Sequence, residues 1–160
     1  MLVTLMTDAS HCPDTGAAGF GFWCASDRGK LAGGSKFRGV LKDSYEAEFK
    51  GVANSLKASM NAGLILSGDK VLVQLDCIGV IFCLEGKSKP RCDVEKVLKY
   101  IRDIVKQHGL TLECRHVKGH TRRSKGNRFA ANNHCDKRAK TAMREARMSL
   151  EAQTLQHDKD

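Results

Sequence analysis

Residues 70–76, KVLVQLD, open on a lysine and continue as an apolar run, interrupted only by Gln74 and closed by a carboxylate. A half-exposed strand alternates apolar with polar residues, so a run of this kind reads as a strand buried on both faces. Such a strand needs other strands beside it and helices above and below, which points to an α/β architecture before any other segment is read. It also poses a chemical question. An ionised Asp76 at the end of the run is costly unless something compensates it: the amides of a following helix, which it would cap, or a bound cation.

The flanking segments supply the sheet and the helices. Residues 2–7 are apolar and stop at Thr7-Asp8-Ala9-Ser10, which reads as a strand ending at a carboxylate. GAAGFGFWCAS (16–26) and KLAGGSKFRGV (30–40), joined through Asp27-Arg28-Gly29, read as an antiparallel meander. Asp43-Ser44-Tyr45-Glu46 has the form of a capping box. Behind it Tyr45, Phe49, Val52, Ala53, Leu56 and Met60 recur at helical spacing, predicting a helix over 44–62 stopped by Gly63. Asp76 is placed to cap a short helix over 77–84, and GKSKPR (86–91) reads as a basic loop. Asp93 is placed to cap a further helix, with Val94, Val97, Leu98, Ile101 and Val105 inward and Gly109 as its stop. LTLECRHV (110–117) is a last strand and GHTRRSKGN a loop. The alanine-rich stretch from about 129 to 150 is a long helix, followed by a polar tail, 151–160, expected to fray. The order is β-β-β-α-β-α-α-β-α, a five-stranded mixed sheet flanked by helices, in one domain over 1–150. A chain of 160 residues is the size of one such domain.

Charge is distributed unevenly. Between Arg115 and Arg147 there are eleven basic residues and two acids, Asp136 and Glu145, while elsewhere sixteen basic residues balance sixteen acidic ones. The whole excess of +9 therefore lies in one stretch, either a polyanion-binding face or a solvated helix with extended lysines. The seven cysteines include no CxxC pair, which argues against a disulfide framework. A zinc site from Cys114, His116, His134 and Cys135 has none of the common ligand spacings. No apolar run approaches the roughly 20 residues that span a bilayer, and the start, MLVTLMTDAS, lacks the features of a secretion signal. The expected setting is the cytoplasm, with no membrane association.

Three carboxylates occupy positions that solvation alone would not select: Asp8 and Asp76 each follow an apolar strand, and Glu48 borders the apolar face of the first helix. Around that helix Glu48 lies about 60° from Tyr45, and unlike Glu46 it has no capping role available. Taken singly, Asp8 is equally a turn residue, Asp76 reads as a helix cap before a metal ligand, and Glu48 has Lys50 or Lys57 as an alternative partner. If the two strands are neighbours, Asp8 and Asp76 converge and repel unless a cation neutralises them. An all-oxygen donor set suits Mg²⁺ or Mn²⁺, and a pair of such ions can activate water and stabilise the leaving oxygen of a phosphodiester.

In this order the motifs resemble those of type I ribonuclease H. Thr7-Asp8-Ala9-Ser10 precedes a glycine-rich second strand, Ala47-Glu48 lies in the first long helix, and Asp76 closes the fourth strand. Val117 to His120 read VKGH, and Asn132-Asn133-His134-Cys135-Asp136 opens the last helix. The resemblance spans residues 2 to about 147. It implies the ribonuclease H-like fold and an endonuclease that cuts the RNA strand of an RNA/DNA hybrid with two Mg²⁺ ions, leaving 5′-phosphate and 3′-hydroxyl ends. It further implies that Asp8, Glu48, Asp76 and Asp136 are the metal-binding carboxylates and that His120 assists proton transfer or product release. Ser10, Lys118, Arg122, Arg123 and Asn132 become candidate nucleic-acid contacts. No protein partner is implied, so a monomer is expected.

The chain departs from the pattern at three places. Cys77 stands where the family usually has Ser, and Asp14 where many members carry Asn. There is also too little sequence between Asp76 and Asp93 for the extra basic helix of many bacterial members, leaving Lys87, Lys89 and Arg91 as partial substitutes. The alternatives are a non-catalytic nucleic-acid-binding module on the same fold, or a nuclease for double-stranded RNA or DNA junctions.

Overall fold

The apolar run is a strand, Lys70–Leu75, with a neighbour on each side as its burial requires. It is β4 of a five-stranded sheet in the computed structural model, which describes residues 1–118 and 127–159. The other strands are β1 (Leu2–His11), β2 (Ala18–Ser26), β3 (Gly29–Lys36) and β5 (Thr111–His116), and the sheet order is β3-β2-β1-β4-β5. β2 is antiparallel to β1 and β3, while β4 is parallel to β1 and β5, so the sheet is mixed. The helices are α1 (Ser44–Asn61), α2 (Ile78–Leu84), α3 (Glu95–Gln107) and α4 (Asn127–His157). None of the described helices is long and apolar enough to cross a membrane.

Alternation along each strand sends its side chains to two different cores. On one face Val3, Leu5, Val71, Val73 and Leu75 pack with Phe49, Val52 and Leu56 of α1 and Leu98 and Ile101 of α3. The other face is covered by α4, whose buried residues are small: Ala131, Cys135, Ala139, Ala142 and Ala146. Their spacing of three and four places them on one side of the helix. The strands answer with glycine. A Cβ on Gly19 would lie 2.4 Å from the Ala142 Cβ, and one on Gly21 would lie 2.5 Å from the Cys135 carbonyl oxygen. The glycine-rich second strand is therefore the seat on which α4 rests its backbone.

Local capping differs from the sequence expectation in several places. Asp43 does cap α1, its Oδ1 accepting from the Glu46 amide, but Glu46 Oε1 accepts from the Lys42 amide rather than from Asp43. Asp76 is not the cap of α2: the N-cap is Cys77, which makes no side-chain capping bond. Asp93 does not cap α3 either. It lies in a 3₁₀ turn over Cys92–Val94 and is held by Arg91, while Val94 occupies the N-cap. β1 does not end at Asp8 but runs to His11, because its pairing with β2 outlasts its pairing with β4. α4 begins at Asn127 and continues to His157, past the expected end at 150, and the residues beyond 150 are exposed.

One ion pair ties the two ends of the sheet's lower edge together. Asp69, 3% exposed, accepts from both Arg28 guanidinium nitrogens, at 2.5 and 3.0 Å, and from the Leu66 amide at 2.8 Å. This links the β2–β3 turn to the α1–β4 connection. The Arg28 side chain holds the Asp69 carboxyl well below the usual carboxylate range. A depressed folded-state value means stability that is complete above the unfolded value near 4 and is lost as the pH falls below it. We expect Asp69→Asn to cost about 2–3 kcal/mol at pH 7, within the range of hydrogen bonds to a charged group, and to remove much of the wild type's sensitivity below pH 4. Urea unfolding at pH 7 and pH 3 measures both effects.

Candidate active site

The parallel pairing of β1 with β4 runs up to Met6 opposite Gln74. Asp8 and Asp76 each lie two residues beyond that last pair, at the same edge of the sheet. On its other side Asp8 stands opposite Gly21, where α4 makes its close approach through Cys135. The residue after Cys135 is Asp136, which is thereby brought over β1. From the opposite face α1 contributes Glu48. The Ala9 amide donates to Asp8 Oδ1 at 2.9 Å and to Glu48 Oε1 at 3.2 Å, so one backbone N–H is shared between two carboxylates.

This concentration of negative charge alters the acids that form it. Burial, then the charge of Asp136, pushes the Asp8 carboxyl up to about 6, with Asp76 adding to the rise and the Ala9 amide opposing it. Burial and the charge of Asp8 push Glu48 well above its ordinary value. Its second oxygen, Oε2, is buried and has no hydrogen-bond partner among the described residues. Burial, followed by the charge of Asp8, also pushes the Cys135 thiol up and keeps it neutral.

The other two carboxylates have basic partners. Asp76 Oδ1 accepts from His116 Nε2 at 2.9 Å, and Asp136 Oδ2 accepts from Lys140 at 3.0 Å, one helical turn along α4. Among the described residues, no three His, Cys, Asp or Glu side chains are gathered tightly enough to hold an ion as they stand. The donor set nonetheless fits a hard divalent cation: four carboxylates, two of them with raised proton affinity from burial and mutual repulsion, and a buried Glu48 oxygen without a hydrogen-bond partner among the described residues.

Of the remaining candidates, Ser10 is half-buried in β1 opposite Gly19, and Asn132 is half-buried on α4 one turn before Asp136. Lys118 is exposed just after β5, whose exit is pinned where the Val117 amide donates to the Leu75 carbonyl. His120, Arg122 and Arg123 lie outside the described residues. Asp14 is exposed between β1 and β2. Arg91 is not a free basic group: it is held by Asp43 and Asp93 and stacks 4.4 Å from the Tyr45 ring centre. Lys87 is paired with Glu85, leaving exposed Lys89 as the one of the three without an ion pair among the described residues. The four residues weighed for zinc are divided: Cys114 packs against the α1 and α3 core and Cys135 against Met6 beneath α4. Sequence reasoning missed His116 and Lys140 as partners of the acids. Lys140 had a signal in its i,i+4 spacing to Asp136. His116 had none, since its contact depends on the register of two parallel strands.

No protein-family model matches the chain, and no curated protein matches it in sequence. Solved structures do. Ribonuclease H1 from the halophilic archaeon Halobacterium salinarum is 19% identical, with a TM-score of 0.70 over 91% of this chain and 100% of that one. The N-terminal ribonuclease H domain of a Mycobacterium tuberculosis protein, solved as a fusion with maltose binding protein, is 20% identical, with a TM-score of 0.72 over 92% and 97%. LC11 ribonuclease H1, solved in complex with an RNA/DNA hybrid, is 16% identical, with a TM-score of 0.69 over 90% and 98%. The fold of the chain is thus that of type I ribonuclease H.

Proposed function

We propose that this chain is a metal-dependent endonuclease hydrolysing the RNA strand of RNA/DNA hybrids. The observation that carries the reading is the convergence of Asp8 and Glu48 on the Ala9 amide, with the second Glu48 oxygen buried and without a hydrogen-bond partner among the described residues. Two half-buried carboxylates, Asp8 and Glu48, with no basic side chain bonded to either among the described residues make sense as the core of a cation site. A hybrid as substrate is supported by the solved complex of LC11 ribonuclease H1.

Asp8, Glu48, Asp76 and Asp136 would hold two Mg²⁺ ions, for which Mn²⁺ can substitute. When bound, the ions supply an activated water and charge stabilisation for the leaving 3′ oxygen, giving 5′-phosphate and 3′-hydroxyl ends. The chain's own groups do the rest. The Ala9 amide fixes the orientation of two carboxylates at once, and α4 closes the site from one side. Exposed Lys118, Lys137 and Arg144, with Arg122 and Arg123, attract the phosphodiester backbone, while Ser10 and Asn132 contact it near the carboxylates. His120 takes or delivers a proton as product leaves.

The test is cleavage of an end-labelled hybrid with Mg²⁺ or Mn²⁺, with and without chelator, beside double-stranded RNA and a DNA junction. RNA-strand cutting of the hybrid, abolished by chelator and weakened as salt rises, is the expected outcome. Salt-dependent binding without cutting under either ion would instead establish a binding module. That second reading draws on the pairing of Asp76 and Asp136 with His116 and Lys140, which satisfies two of the acids without a metal. Preferential cutting of either of the other two substrates would replace the hybrid.

A further inference from the structure

We propose that His116 is a positioning residue for Asp76, fixing which of its two oxygens faces the cation; this rests on the reading of Asp76 as a metal ligand. β4 ends at Leu75 and β5 at His116, and these two residues are register partners in the parallel ladder. The Val117 amide bonds the Leu75 carbonyl at 3.0 Å immediately beyond them, so the backbone on which both side chains stand is fixed. His116 Nε2 donates to Asp76 Oδ1 at 2.9 Å. That bond engages one oxygen and leaves the other for an ion.

The pair does little for the fold. Its side chains are 34% and 50% exposed, and exposed ion pairs contribute little to stability. Asp76 makes no capping bond to α2, whose N-cap is Cys77, and among the described residues His116 is the side chain that hydrogen-bonds it. Without the imidazole, Asp76 would be a half-exposed carboxylate free to rotate. Outer partners that orient metal-binding side chains typically change metal affinity by about 10–100-fold when removed. An exposed partner belongs near the lower end of that range.

The experiment is Mn²⁺ titration of the full chain followed by electron paramagnetic resonance, with wild type, His116→Ala, His116→Gln and Asp8→Asn. The Gln amide nitrogen can occupy the place of Nε2 and donate the same bond. We expect His116→Ala to weaken Mn²⁺ binding about tenfold, His116→Gln to recover most of it, and the unfolding midpoints of both to match wild type. Unchanged affinity in His116→Ala overturns the positioning role, as does an equal loss in both variants accompanied by lower midpoints. Wild type that binds no Mn²⁺, or Asp8→Asn that binds it as wild type does, overturns the metal-site reading itself, and the role of His116 with it.

Discussion

Replacing Asp8 by Asn should reduce hybrid cleavage by about 10³-fold or more without making the metal-free protein any less stable. Asp8 is the carboxylate on which the others converge: it shares the Ala9 amide with Glu48, and Asp136 and Asp76 both raise its proton affinity. Removing its charge removes a proposed metal ligand and also relieves repulsion. Without metal, the folded-state value of about 6 lies above the unfolded value near 4. Between pH 4 and 6 the folded state binds the proton more tightly, so wild-type stability from this group falls as the pH rises through that window and stays low above it. A shift of this size corresponds to about 3 kcal/mol at most. Glu48, also raised, acts in the same direction, whereas Asp69 and Asp43 are depressed and act in the opposite one. The comparison must therefore be a difference between variant and wild type. Urea unfolding in chelator at pH 4.5 and 7.5 should show wild type losing ground to Asp8→Asn as the pH rises. Adding Mg²⁺ should then stabilise wild type and leave the variant nearly unmoved, because only a ligand that binds the folded state shifts its midpoint. A variant that cuts at the wild-type rate would show that Asp8 is not at the centre of the chemistry.

The parts of the fold and site that were legible in the sequence are those carried by local patterns. The apolar run at 70–75 required a covered strand and is one. The helical spacing from Tyr45 to Met60 marked α1 almost to the residue, with Gly63 in a positive-φ conformation after it. Asp8, Glu48 and Asp136 stand out because each borders or interrupts an apolar or basic context; the fold sets Asp8 and Glu48 on one backbone amide and Asp136 near enough to raise the Asp8 carboxyl. What the sequence hid depends on partners distant along the chain. Asp76 and Asp93 both resemble helix caps, yet each is held by another side chain, His116 and Arg91, and in each case the helix starts two residues later. Arg91 looked available for nucleic acid until Asp43, 48 residues away, was found bound to it. α4 runs past the expected end at 150 because no Gly or Pro interrupts the segment; the polarity of its last turns marks exposure rather than fraying.

The glycines of β2 show the same limit, and they carry the second large prediction: Gly21→Ala should damage both the fold and the site. The added Cβ would lie 2.5 Å from the Cys135 carbonyl oxygen, 2.9 Å from the Arg138 Cβ and 3.1 Å from the Ala139 nitrogen. Two of these three atoms are backbone, so rotating a side chain gives no relief and α4 must move outward. Overpacking of this kind costs about 1–3 kcal/mol, which for a chain of this length lowers the melting temperature by roughly 3–10 °C. The same displacement carries Asp136, the next residue after Cys135, away from Asp8. A misplacement approaching 1 Å costs a catalytic group about 10²-fold in rate, so cleavage should fall by about that factor. Asp136→Asn provides the contrast, because it removes the carboxylate without touching the helix seat. It should lose activity while its melting temperature stays at or above that of wild type. If Gly21→Ala kept both its melting temperature and its cleavage rate, the close seating of α4 could not be what holds Asp136 over β1. If the loss is as large as expected, glycine at this position is part of the site although it carries no chemistry, because α4 brings Asp136 over β1 only where the strand has no side chain to keep the helix away.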